Sequence, residues 1–169
     1  MKTLFTTLLL IAFNLTLTAQ SASDVINNIK YISEVVAHNE SSEIKKMQNI
    51  AAYYNIENAD TFDANKKLTY DVVFTRTNCK IEATYNSEGE ILKSTEVYSN
   101  MRLPMSLVKL ILKEHNTWYI SDNVQKVYYS SKSGTYKVYE LEIKKENKVE
   151  KLKFKIDSED NNEVYVALN

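Results

Sequence analysis

The stretch TYDVVFTRTNCKIEATYNSEGEI, Thr69 to Ile91, decides the reading of this chain. Its Tyr, Val, Ile and Phe residues recur at period two, as strands require, and the run Asn86-Ser87-Glu88-Gly89 closes a hairpin with glycine where a positive φ is needed. The segment TYKVYELEIKKENKVEKLKFKIDSEDNNEV, Thr135 to Val164, echoes it, and each copy lies downstream of a stretch with helical spacing. The echo predicts an α+β fold made as a tandem repeat of a helix packed on a four-stranded antiparallel sheet, with repeats at about 24–98 and 104–168. Tyr70 and Tyr136 then take equivalent strand positions.

Working outward, Ser23 and Asp24 are placed to cap a helix over about 24–37, whose apolar residues Val25, Ile26, Ile29, Ile32, Val35 and Val36 recur at three and four residues. Residues 44–56 carry both periods. Met47, Ile50, Ala51 and Tyr54 suit a helix, whereas Tyr53, Tyr54 and Ile56 suit a strand, and the strand is preferred because the second copy is extended in the matching place. Strands follow at about 69–76, 79–85 and 90–98. Pro104 then opens a helix with Leu107, Val108, Leu110, Ile111 and Leu112 on its apolar face, running to about His115. Further strands are expected at 118–120, 124–129, 136–143, 149–156 and 163–168, with turns at Ser133-Gly134 and Glu146-Asn147. The chain has only two glycines and one proline, and all three sit at boundaries this layout needs.

The first residues bear on compartment. Lys2, the apolar run LFTTLLLIAF and the small residues near Ala19 read as a cleaved secretory signal over residues 1–19, because the apolar run is shorter than the roughly 20 residues that span a bilayer. The mature chain, 20–169, is then about 150 residues, enough to bury its own core, and is periplasmic or secreted with no membrane anchor. Lys plus Arg number 21 against 22 for Asp plus Glu, so no basic stripe is available for nucleic acid. Cys79, the sole cysteine, excludes an internal disulfide and reads as a small buried residue at the start of a strand.

Few groups suggest chemistry. His38 and His115 both fall at predicted helix C-terminal ends, where an imidazole suits the dipole, and neither has a second His or Cys at ligand spacing. Glu82, Glu88, Glu90 and Glu96 stand beside lysines on strands and turns and read as a solvated face. The run KKENKVEKLKFK from Lys144 reads as charged protection of a sheet edge. No catalytic residue, metal ligand or cofactor site is expected.

The runs YDVVFTRTNCKIEATYNSEGEILKSTE, LPMSLVKLILKEH, Trp118-Tyr119 and TYKVYELEIKKENKVEKLKFKIDSED resemble the PepSY-like proteins of the beta-lactamase-inhibitor-like fold, over about residues 65–160. The resemblance implies a tandem repeat of helix and four-stranded sheet, and a small exported bacterial protein that binds or inhibits other exported proteins without catalysing a reaction. The chain departs from the true lactamase inhibitors in lacking cysteine pairs.

Twelve Tyr, five Phe and one Trp make aromatics the residues to watch. Adjacent strand residues point to opposite faces, so one member each of Tyr53-Tyr54, Trp118-Tyr119 and Tyr128-Tyr129 turns away from the helices, where Tyr and Trp serve as anchors for a partner. The candidates are Tyr53, Tyr98, Trp118, Tyr128 and Tyr139. The expected function is an exported, non-enzymatic binding or inhibitory module acting on another exported or envelope protein. The alternatives are a hydrolase using two carboxylates and a polysaccharide-binding module using an aromatic sheet face.

Overall fold

The computed structural model describes residues 28–36, 41–63, 65–66, 68–157 and 164–168. The expected signal over 1–19, the caps Ser23 and Asp24, and His38 lie outside them. Seven strands form one sheet in strict chain order: β1 (Tyr70–Arg76), β2 (Cys79–Tyr85), β3 (Ile91–Ser99), β4 (Tyr119–Ser130), β5 (Gly134–Lys145), β6 (Lys148–Asp157) and β7 (Val164–Ala167). Every neighbouring pair is antiparallel. Helices α1 (Ile29–Val35) and α2 (Ser42–Ala52) precede the sheet, and α3 (Met105–Glu114) is inserted between β3 and β4.

Directly paired residues share a sheet face. The pairs Phe74/Ile81, Ile81/Glu96, Glu96/Val127, Gln125/Tyr139 and Tyr139/Phe154 trace one face across six strands. All three helices cover that face. Tyr31 and Val35 of α1 with Ile44, Met47 and Ala51 of α2 form one core with Ile81, Ala83, Tyr85, Tyr98, Val127 and Tyr129. Leu107 and Ile111 of α3 form a second core with Tyr139, Leu141, Ile143, Phe154 and Ile156. Among the described residues the opposite face carries no helix.

The tandem repeat is not present. Among the described residues the first half holds two α-helices and three strands, the second one α-helix and four strands, and these seven strands belong to a single sheet. Residues 42–52 are helix, not the strand expected within 44–56, so the second half's β4 has no counterpart. Ser41 caps that helix by accepting from the Ile44 amide at 3.3 Å, and the buried Ile44, Met47, Gln48, Ala51 and Ala52 follow a 3.6-residue period that outweighs the β preference of the tyrosine pair. The shared Thr-Tyr opening is also out of phase. Tyr70 is the first residue of β1 and is buried, whereas Tyr136 is the third of β5 and lies exposed on the helix-free face.

The turns fall where their residues allow. Gly89 takes φ 80° and Gly134 φ 79°. Asn86 secures the first hairpin, its side-chain oxygen accepting from the Glu88 and Glu90 amides at 3.0 and 2.8 Å. Asn28, at the start of α1, ties this hairpin to the helices. Its amide donates to the Ala52 and Gly89 carbonyls, both at 3.0 Å, and its oxygen accepts from the Ile91 amide at 2.6 Å. The strands expected at 118–120 and 124–129 merge into the long β4, which is irregular between Ile120 and Asp122.

Candidate functional site

The helix-free face is the surface the fold leaves for other molecules. Tyr128 of β4 and Tyr136 of β5 stand directly opposite each other, because each is two residues from its member of the Ser130/Gly134 pair that closes their hairpin. Their rings stack with centroids 4.8 Å apart and planes 17° from parallel. Lys155 of β6 places its ammonium 5.1 Å from the Tyr136 ring centre, a cation–π contact. Beside the stack, Val138 is buried although it faces this side, flanked by Lys126 on β4 and Lys155 on β6.

Charge organises the next part of the face. Glu140 bridges two strands, accepting from Lys126 at 2.8 Å and pairing with Lys153 at 3.2 Å. The Lys126 hydrogen bond holds the Glu140 carboxyl below the ordinary carboxylate range against a smaller desolvation effect, and Lys126 is correspondingly raised. Glu142 pairs with Lys144 at 2.8 Å and accepts from the Ser121 hydroxyl at 3.1 Å, so its carboxyl is lowered as well. Val124, Leu168, Glu140, Glu142, Lys151 and Lys153 line an open depression of ≈ 350 Å³ here. Along β6, Lys151, Lys153 and Lys155 present a cationic row on the same face.

The expected partner-binding residues do not come together. Of the five, Tyr128 alone lies on the open face with its side chain partly exposed. Tyr53 is exposed but sits at the C-terminal cap of α2, on the helix side. Tyr98 and Tyr139 are core residues, because the alternation of β3 and β5 turns them toward the helices. Trp118 packs at the edge of the second core, 6.0 Å from the His115 ring at the end of α3, while its neighbour Tyr119 is the exposed member of that pair. Tyr136 was absent from the expected set. Its signal was available, since a turn centred between Tyr128 and Tyr136 brings the two face to face.

A second polar cluster lies inside. Glu96, expected on a solvated face, is fully buried on β3. It accepts from the hydroxyls of Tyr31 at 2.6 Å, Tyr98 at 2.7 Å and Ser94 at 3.2 Å, and from the Gln48 amide at 2.8 Å. Burial and the Glu96 carboxylate push the Tyr31 hydroxyl pKa well up. All five side chains are buried, and the cluster joins α1 and α2 to the sheet as internal structure.

Cys79 is buried at the start of β2, where desolvation raises its thiol above the ordinary range and so suppresses the reactive thiolate. Among the described residues no group of three His, Cys, Asp or Glu side chains is placed to hold a metal ion. No described helix is long and apolar enough to cross a membrane. No family model, curated protein or solved structure matches the chain.

Proposed function

We propose that this chain is an exported, non-enzymatic binding module that grips another exported protein on the helix-free face of its sheet. The observation that carries the reading is the Tyr128–Tyr136 stack with Lys155, rigid aromatic anchors set on paired strands and not on loops. The lysine row of β6 suits a partner segment bearing carboxylates. Export is the meaning of the first nineteen residues, read from their sequence, and the likeness to PepSY-like proteins points to the same class of role. The tandem repeat which that likeness implies is absent.

The chemistry of the face disfavours the two alternatives. A carboxylate hydrolase needs one acid held protonated near neutral pH, whereas Glu140 and Glu142 are both lysine-paired with lowered values. A sugar stacks on an open ring face, but Tyr128 and Tyr136 turn faces toward each other and Lys155 stands over the Tyr136 ring.

The test is capture from the host's exported fraction by immobilised protein, with mass spectrometry of what is retained. A partner held by the wild type should be lost with Tyr136→Ala and kept with Tyr53→Ala, whose side chain is exposed on the helix side. Equal retention by wild type and Tyr136→Ala would overturn the assignment to this face.

A further inference from the structure

The two edges of the sheet are treated differently. At one side β7 is only four residues long, and the part of β6 it leaves uncovered carries Lys148 and Lys151. Short edge strands and lysines are how sheets resist joining other chains. At the other side β1 presents seven residues, Tyr-Asp-Val-Val-Phe-Thr-Arg, with no lysine and no proline, in unbroken register with β2. Its outer edge has no strand partner among the described residues. Val73, at the centre, is more than half exposed.

We propose that β1 pairs antiparallel with β1 of a second copy of this chain, giving a two-fold dimer with one continuous sheet. A two-fold axis perpendicular to the sheet keeps each face on its own side, so only registers that match residues of the same face are allowed. The register centred on Val73 overlaps the whole strand. It sets Val73 against Val73, Asp71 against Thr75, Val72 against Phe74 and Tyr70 against Arg76, with each off-centre pair occurring twice. Shifting by one pleat in either direction sets Asp71 against Val73, or Val72 against Arg76, and shortens the overlap. Asp71 already accepts a hydrogen bond from Thr84 on its inner side, so its carboxylate is held on the helix-free face where Thr75 of the other copy arrives. Such a dimer presents two Tyr128–Tyr136 stacks on the same side.

Two exposed substitutions read this register. In Val73→Lys the two new ammonium groups meet on the axis, and like charges directly opposite destabilise a strand pair. In Thr75→Lys each new ammonium meets Asp71 of the other copy, twice per dimer. Sedimentation equilibrium of the purified protein over micromolar to millimolar concentration should show a monomer–dimer equilibrium for the wild type. Val73→Lys should weaken it by about tenfold or more, and Thr75→Lys should tighten it severalfold, with circular dichroism confirming that both variants stay folded. A wild type that remains monomeric throughout overturns the proposal. So does a dimer that Val73→Lys leaves intact, or one that both lysines weaken equally, since neither outcome fits a pair centred on Val73.

Discussion

Removing the Glu96 carboxylate should unfold the junction between α1, α2 and the sheet before any other part of the core. In Glu96→Ala, Tyr31, Tyr98, Gln48 and Ser94 lose their common acceptor inside a site that water does not reach. Each buried donor left without a partner costs about 1–3 kcal/mol, and hydroxyl rotation recovers part of it. Summed over the donors that find no other acceptor, the loss comes to about 3–5 kcal/mol in all. That is a large share of the roughly 5–15 kcal/mol that holds a domain together. At about 2–4 °C per kcal/mol, the melting temperature should fall by about 10 °C.

Glu96→Gln keeps the volume and should cost less, about 1–2 kcal/mol. Its amide nitrogen needs an acceptor, and the buried Gln48 Oε1, unpaired among the described residues, becomes one when the Gln48 amide turns over. Tyr98→Phe removes one donor and leaves the carboxylate its other partners, so its cost should be about 1 kcal/mol. Urea denaturation followed by circular dichroism, with thermal melts alongside, gives the order. A Glu96→Ala variant within 1 kcal/mol of wild type, or a Glu96→Gln variant as unstable as Glu96→Ala, would refute the reasoning, the first by showing the carboxylate to be dispensable and the second by showing that amide exchange cannot rescue it.

Tyr128→Ala and Tyr136→Ala should each weaken capture of the partner by about 2 kcal/mol or more with little loss of stability, whereas Tyr139→Ala, in the second core, should lower stability by about 3–5 kcal/mol; binding assays paired with melts separate the two classes. Asn28→Ala should destabilise by about 2–4 kcal/mol, because its side chain serves the Ala52 and Gly89 carbonyls and the Ile91 amide, and hydrogen exchange should show the Asn86–Gly89 hairpin opening first. Burial raises the hydroxyls of Tyr31 and Tyr85 above the unfolded value of about 10, so above that pH the unfolded chain releases protons that the folded one keeps. Stability should therefore be complete below about pH 10 and fall as pH rises beyond it, by about 1.4 kcal/mol per pH unit for each of the two. Urea midpoints measured across this range should show the decline, and Tyr85→Phe should make it shallower.

Local chemistry made much of the chain legible without coordinates. The hairpin at Asn86–Gly89, the turn at Gly134, the α3 entry after Pro104 and the bounds of β1, β2 and β3 follow from residues that act on their own backbone, through a positive φ, a fixed φ or side chains at period two. The burial of Cys79 belongs here too. Which face each strand turns inward was decided elsewhere. Alternation divides a strand into two sides but is silent on which side a helix will cover, so Tyr98 and Tyr139 were placed outward and Tyr136 was missed. The repeat failed for the same reason: Thr69-Tyr70 and Thr135-Tyr136 match as letters, yet they enter their strands in opposite phase. Glu96 states the distinction most sharply. Beside Lys93 and Ser94 it reads as a wet residue, and only the docking of α1 and α2 delivers the Tyr31 hydroxyl and the Gln48 amide, residues 65 and 48 positions away, that allow a carboxylate to be buried. Those donors come from tertiary packing, and no local rule of sequence can supply them.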